Sequence, residues 1–142
     1  MEMYAYLYAI IAAWLVAHCI KYAISLIKKS GTSFSEQLFM SGGMPSAHSA
    51  VIGATATSIG LGEGFDSAIF ALAAAVTLIV IYDASHVRYM AGRTAEVVNQ
   101  LTMQRKQAAL PIHVSRGHTL TEVLAGCALG VVIGVVVFLA TK

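Results

Sequence analysis

Two apolar runs, Met3–Ile27 and Leu120–Ala140, do most to limit what this chain can fold into. Each is long enough to cross a hydrocarbon layer, which takes about 20 consecutive apolar residues in a helix. Backbone groups in lipid have no water to bond with, so such runs must satisfy themselves as helices. Of the 142 residues, 58% are hydrophobic and only 11% charged, a balance too apolar for a soluble domain of this length. The first run is longer than a signal-peptide core and no basic segment precedes it, so it reads as a retained helix.

Two weaker apolar segments lie between these runs, 47–61 and 67–82, parted by a turn at 62–66. Length alone would also suit buried core helices, but a position between strong spans, and in 47–61 a richness in Ala, Gly and Thr, favour closely packed membrane helices. The expectation is an all-α integral membrane protein, a four-transmembrane-helix bundle forming one membrane domain over 1–142. Cys19 and Cys127 sit in apolar stretches without Cys-x-x-Cys spacing and read as small buried hydrophobes.

Basic residues set the orientation. In a four-span arrangement Lys21, Lys28, Lys29, Arg88, Arg93, Arg105, Lys106 and Arg116 fall on one side, and only Lys142 on the other. Positive charge in short loops stays in the cytoplasm, so both termini are expected outside and the polar loops inside.

Three polar clusters then meet at one membrane face. In the segment Ser41-Gly42-Gly43-Met44-Pro45-Ser46-Ala47-His48, glycines allow close backbone approach and Pro45 suits a first helical turn. Free N–H groups at such a helix start favour an anion, and His48 beside it could protonate a leaving oxygen. An ordinary helix start capped by Ser46 fits the same residues. His118 and Glu122 are four apart, so the carboxylate can orient the ring; Thr119-x-x-Glu122 equally fits a capping box.

Steps of four from Glu122 give Gly126, Gly130 and Gly134, a packing seam that turns this face into the bundle. Lys21, Arg88 and Arg93 suit phosphate oxygens, or lipid headgroups by the positive-inside bias. Asp83 is expected to pair with Arg88, and His18 to line the bundle. Glu96, Asn99 and His113 suggest no partner. His86, His113, His118 and Asp83 lack the spacing of a preformed metal site, so no metal or other cofactor is expected.

On Met44-Pro45-Ser46-Ala47-His48-Ser49-Ala50 and Gly117-His118-Thr119-x-x-Glu122-Val-Leu-Ala-Gly126, the chain resembles the divergent branch of the type 2 phosphatidic acid phosphatase superfamily, which also includes vanadium haloperoxidases. Tyr82-Asp83-Ala84, Val87-Arg88, Ala91-Gly92-Arg93 and Asn99 extend the match along nearly the whole chain. The resemblance implies that His118 is a nucleophile taking the phosphoryl group, with Glu122 orienting it and His48 acting as the acid. It implies that Lys21, Ser46 and Arg88 hold the phosphate, with Arg116 a second candidate for the family's arginine.

The chain departs from the superfamily pattern in particular places. Ala47 stands for the motif glycine, Glu122 for aspartate, and no Arg-Pro pair follows Lys21. Ile112 occupies the usual arginine position, so Arg88 takes that role only if 89–117 is an insertion, expected at the interface as a lid. The superfamily core has about six spans, and the four that bear the motifs are the ones expected here. The function implied is hydrolysis of a lipid phosphomonoester through a phosphohistidine, with a phosphorylated lipid as partner, no nucleic acid, and self-association along glycine seams. The alternative is a non-catalytic protein that binds anionic headgroups or a partner on the same basic face.

Overall fold

A computed structural model describes residues 3–28, 33, 35, 42–104, 112 and 117–142. Arg116, Lys29, Ser41, Arg105, Lys106 and His113 lie outside the described residues. Every regular element among the described residues is helical: α1 (Met3–Ile27), α2 (Ala47–Glu63), α3 (Ala68–Tyr82), a π turn (Asp83–Val87), α4 (Arg88–Gln104) and α5 (Leu120–Ala140). Three helical stretches are long and apolar enough to cross a membrane: Tyr4–Ile27, Ala68–Gln104 and Leu120–Ala140. α2 has 17 residues, about 25 Å of helix, and is less apolar.

The reason α2 is less apolar is its position. It packs against α1, α3 and α5, so its neighbours stand between much of its surface and solvent or lipid. Its buried residues are Ala47, Ser49, Ala50, Gly53, Ala54, Ser58 and Gly60, small side chains that let backbones approach.

α1 supplies a matching row of fully buried alanines, Ala5, Ala9, Ala13 and Ala17. The same four-residue step continues to Lys21 and Ser25, both buried, so the packing face of α1 carries the lysine inward at its end. On α5, Gly126, Gly130 and Gly134 are buried against α2, as the glycine row predicts. Side chains there would collide with the Ser46 and Ala50 carbonyls and with Thr57.

Helix ends are pinned by polar contacts. At the end of the bundle away from Lys21, the Tyr6 hydroxyl donates to Glu63 Oε1. Ser46 caps α2 by accepting from Ser49 N–H at 3.4 Å, and Ser67 caps α3 by accepting from Phe70 N–H at 3.2 Å. Pro45 therefore precedes the cap instead of opening the first turn.

Two expectations are corrected here. Cys19 is exposed on α1 and not buried. The third apolar segment does not end in a loop: α3, the π turn and α4 form one helix of 37 residues, about 55 Å long. That exceeds a hydrocarbon core of about 30 Å, so the polar half carrying Arg88, Arg93 and Glu96 extends beyond it. Asn99, for which the sequence suggests no partner, clamps Ile112 through two 2.8 Å bonds, donating to its carbonyl and accepting from its N–H.

Candidate active site

Four chain segments bring their ends to one cavity of about 580 Å³. Lys21 and His18 enter from α1, His48 from the first turn of α2, Asp83 and Arg88 from the π turn and the start of α4, and His118 from the residues before α5. The rest of the wall is largely apolar, with Trp14, Val51, Ile52, Ile79 and Val80. A cationic mouth with a hydrocarbon-like floor suits an amphiphile with an anionic head.

The π turn shapes the site. Arg88 N–H bonds to the Asp83 carbonyl, five residues back, in place of the Ala84 carbonyl that a regular helix would use. The carbonyl of Ala84 accepts instead from His118 N–H at 3.2 Å, which docks the segment before α5 onto this helix. Gly117 makes that docking possible: its φ is +62°, and a Cβ there would sit 2.7 Å from Tyr89 Cα. Arg88 Nε donates to Asp83 Oδ2 at 2.6 Å, the pairing expected from the sequence, which fixes the guanidinium on the cavity wall.

His118 is 5% exposed, and its Nδ1 lies 3.4 Å from Glu122 Oε2 without hydrogen-bond alignment. The same Glu122 oxygen accepts from Thr119 N–H at 2.9 Å, while Thr119 Oγ1 accepts from Glu122 N–H at 3.4 Å. The capping box and the imidazole contact are thus one structure: the cap holds the carboxylate beside the ring. With Nδ1 turned to Glu122, Nε2 is the nitrogen left for chemistry. Burial above all, then the Lys21 charge, pushes the His118 imidazole below its ordinary value; Glu122 pulls the other way. The ring is therefore neutral at pH 7.

The remaining candidate residues are distributed unevenly. Ser46 is fully buried, off the cavity wall, with its hydroxyl accepting from Ser49 N–H and, at 3.0 Å, Ser49 Oγ. Arg93 also lies off the wall, 3.6 Å from Glu96 on the exposed face of α4. Residues that the sequence reading left aside enter it: His18, Asp83 and Trp14. The signal for the first was its place one turn before Lys21 on a helix whose packing row runs through that lysine. No group of three or more His, Cys, Asp or Glu side chains forms a metal cluster among the described residues.

The fold and the site define an integral membrane protein whose helices gather three histidines and two cations around one amphiphilic cavity. The chain belongs to the Divergent PAP2 family, whose model matches residues 3–133. It is similar to the uncharacterized membrane protein YuiD of Bacillus subtilis (strain 168), with 39% identity over 93 residues, 66% of this chain. The match spans 58% of that relative's length. No solved structure matches.

The π turn gives a direct test of how this site is built. Deleting Ser85 returns the helix to α register, rotates Arg88 by about 100° relative to α3, and takes the Ala84 carbonyl back into the helix, away from His118. Inorganic phosphate binding is expected to weaken about tenfold or more, with helix content by circular dichroism unchanged. Unaltered phosphate affinity would show that the turn does not position these residues.

Proposed function

We propose that this protein is a metal-independent phosphatase of lipid phosphomonoesters, with four spans forming a single membrane domain. The observation that carries the reading is the convergence of His48 and His118, from distant parts of the chain, on one cavity with Lys21 and Arg88. Membership of the family supports the same chemistry. The phosphate sits between the Lys21 ammonium and the Arg88 guanidinium, at the N-terminus of α2, where unbonded N–H groups attract an anion. The acyl chains lie along the apolar wall.

His118 Nε2 attacks phosphorus and the bond to the lipid oxygen breaks. His48 delivers a proton to that oxygen, releasing a lipid alcohol. His48, now neutral, takes a proton from water; the resulting hydroxide displaces the phosphoryl group from His118 as inorganic phosphate. Glu122 stabilises the ring while it carries the phosphoryl group. The excess of basic residues beside this end of the helices supports a cytoplasmic active-site face with both termini outside. α2, though short, completes the fourth span because the other helices shield it and its length of about 25 Å nearly equals the hydrocarbon core.

The experiment is phosphate release from a panel of phosphorylated lipids by purified protein in vesicles containing EDTA. His48→Ala is expected to slow release from lipids by about 10²- to 10⁴-fold, and to slow release from p-nitrophenyl phosphate far less, since that leaving group needs no proton. Release abolished by EDTA would point to metal catalysis. Tight binding of lipid phosphates without any release would identify a headgroup-binding protein instead.

A further inference from the structure

Pairing with Arg88 uses only part of Asp83. The bond runs from Arg88 Nε to Asp83 Oδ2, which leaves Oδ1 outside it, and the side chain keeps 39% of its surface exposed on the cavity wall. It shares that wall with the other charged groups of the site. His48, on α2, is within electrostatic reach of Arg88, Lys21 and Asp83 together, so one small volume is bounded by two cations and a carboxylate.

A cavity suited to any anion needs cations and N–H donors alone. An ionised carboxylate only accepts hydrogen bonds and repels a like charge, so a bare anionic oxygen set against Asp83 is disfavoured. An oxygen that carries a proton is favoured, because it donates to the carboxylate in a charge-assisted bond about twice as strong as a neutral one. The anion cannot avoid this neighbour. With Nε committed to Asp83 at 2.6 Å, the terminal N–H groups of Arg88 are left to grip the phosphate, which then lies beside the same carboxylate.

We infer that Asp83 is a specificity-determining residue that accepts a hydrogen bond from a hydroxyl of the bound phosphate group, so that the cavity takes phosphomonoesters carrying a proton and rejects tetrahedral anions that bring none, sulfate esters foremost. The inference rests on the phosphatase reading and narrows its substrates to monoesters. In a diester a second carbon substituent takes the place of the hydroxyl. If Asp83 did no more than hold Arg88, its loss would weaken every anion alike.

The test compares oleyl phosphate with oleyl sulfate, which share a chain and a tetrahedral head, each at the same mole fraction in phosphatidylcholine vesicles. The pH is about 6, near the second pKa of a phosphomonoester, whereas the sulfate ester stays unprotonated. Trp14 is the chain's one tryptophan and lines the cavity, so its fluorescence gives both affinities without turnover. Wild-type protein is expected to prefer the phosphate by about tenfold or more. Asp83→Asn, whose amide can donate to either head, is expected to narrow that ratio about tenfold, and Asp83→Glu, which keeps the carboxylate, to preserve part of it.

Equal affinities in wild-type protein overturn the inference. So does a ratio unchanged in Asp83→Asn, including where both affinities fall together, as they would if only the anchoring of Arg88 were lost. If wild-type protein releases no phosphate from oleyl phosphate or from any other lipid phosphate, the phosphatase reading fails, and the affinity ratio still decides the role of Asp83: a tenfold narrowing in Asp83→Asn upholds it and an unchanged ratio overturns it.

Discussion

His118→Ala is expected to abolish release of phosphate from lipid phosphomonoesters, a fall of about 10⁴-fold or more, while leaving the protein folded. The side chain makes no aligned hydrogen bond that the fold needs: its Nδ1 only approaches Glu122, and its backbone N–H, which docks onto Ala84, survives the change. What is lost, in the proposed mechanism, is the nucleophile. A phosphoryl group trapped on wild-type protein would be stable in base and lost in acid, as a phosphorus–nitrogen bond is, and the variant would carry none.

In the proposed mechanism the same residue sets the acid limb of the pH profile. Burial and Lys21 lower the His118 pKa, so the neutral, nucleophilic ring persists as the pH falls past the ordinary imidazole value of about 6.5. Activity limited by this group therefore declines only below that value. Release at the wild-type rate by His118→Ala, measured with several lipid phosphates, would remove this residue from the mechanism.

Gly130→Leu is expected to prevent stable folding, at a cost of about 3 kcal/mol or more. A Cβ at Gly130 runs into the carbonyl of Ala50 and comes within 2.8 Å of Ala54 N, both backbone atoms of α2 that cannot move aside as a side chain would. Forcing α5 off α2 also strains the bond from Ser46 N–H to the Glu122 carbonyl, 3.0 Å long, which ties the starts of the two helices together. His48 and His118 sit on those two starts, so the candidate site parts along with the seam. Ala128→Leu, on the exposed face of the same helix, should change stability by less than about 0.5 kcal/mol. Thermal unfolding followed by circular dichroism in detergent measures both. Equal melting temperatures for the two variants would mean that the close approach of α2 and α5 does not hold the bundle together.

Much of this arrangement is legible in the chain because membrane helices leave strong local signals. The two long apolar runs allow few structures besides spans, and the glycine row from Gly126 to Gly134 announces a helix contact one turn at a time. Thr119 and Glu122 show their capping spacing directly. The partner of a row is another matter: nothing local says that the glycines face α2, or that α2 can be short and weakly apolar because three other helices surround it. The alanine row of α1 carries the inward position of Lys21 in plain view, but its meaning depends on knowing that the row is a packing face.

The site divides in the same way. Residue types and spacing by themselves determined an all-helical membrane chain, the two candidate histidines and the carboxylate beside one of them, since each follows from composition or from contacts within a turn of helix. Tertiary structure alone decided that Ser46 and Arg93 fall off the cavity wall and that His18 joins it. It also decided that a π turn at Asp83–Val87 hands the Ala84 carbonyl to His118. The physical reason is that a hydrogen bond within a helix is set by neighbours along the chain, whereas which side chains share a cavity is set by how helices distant in sequence pack.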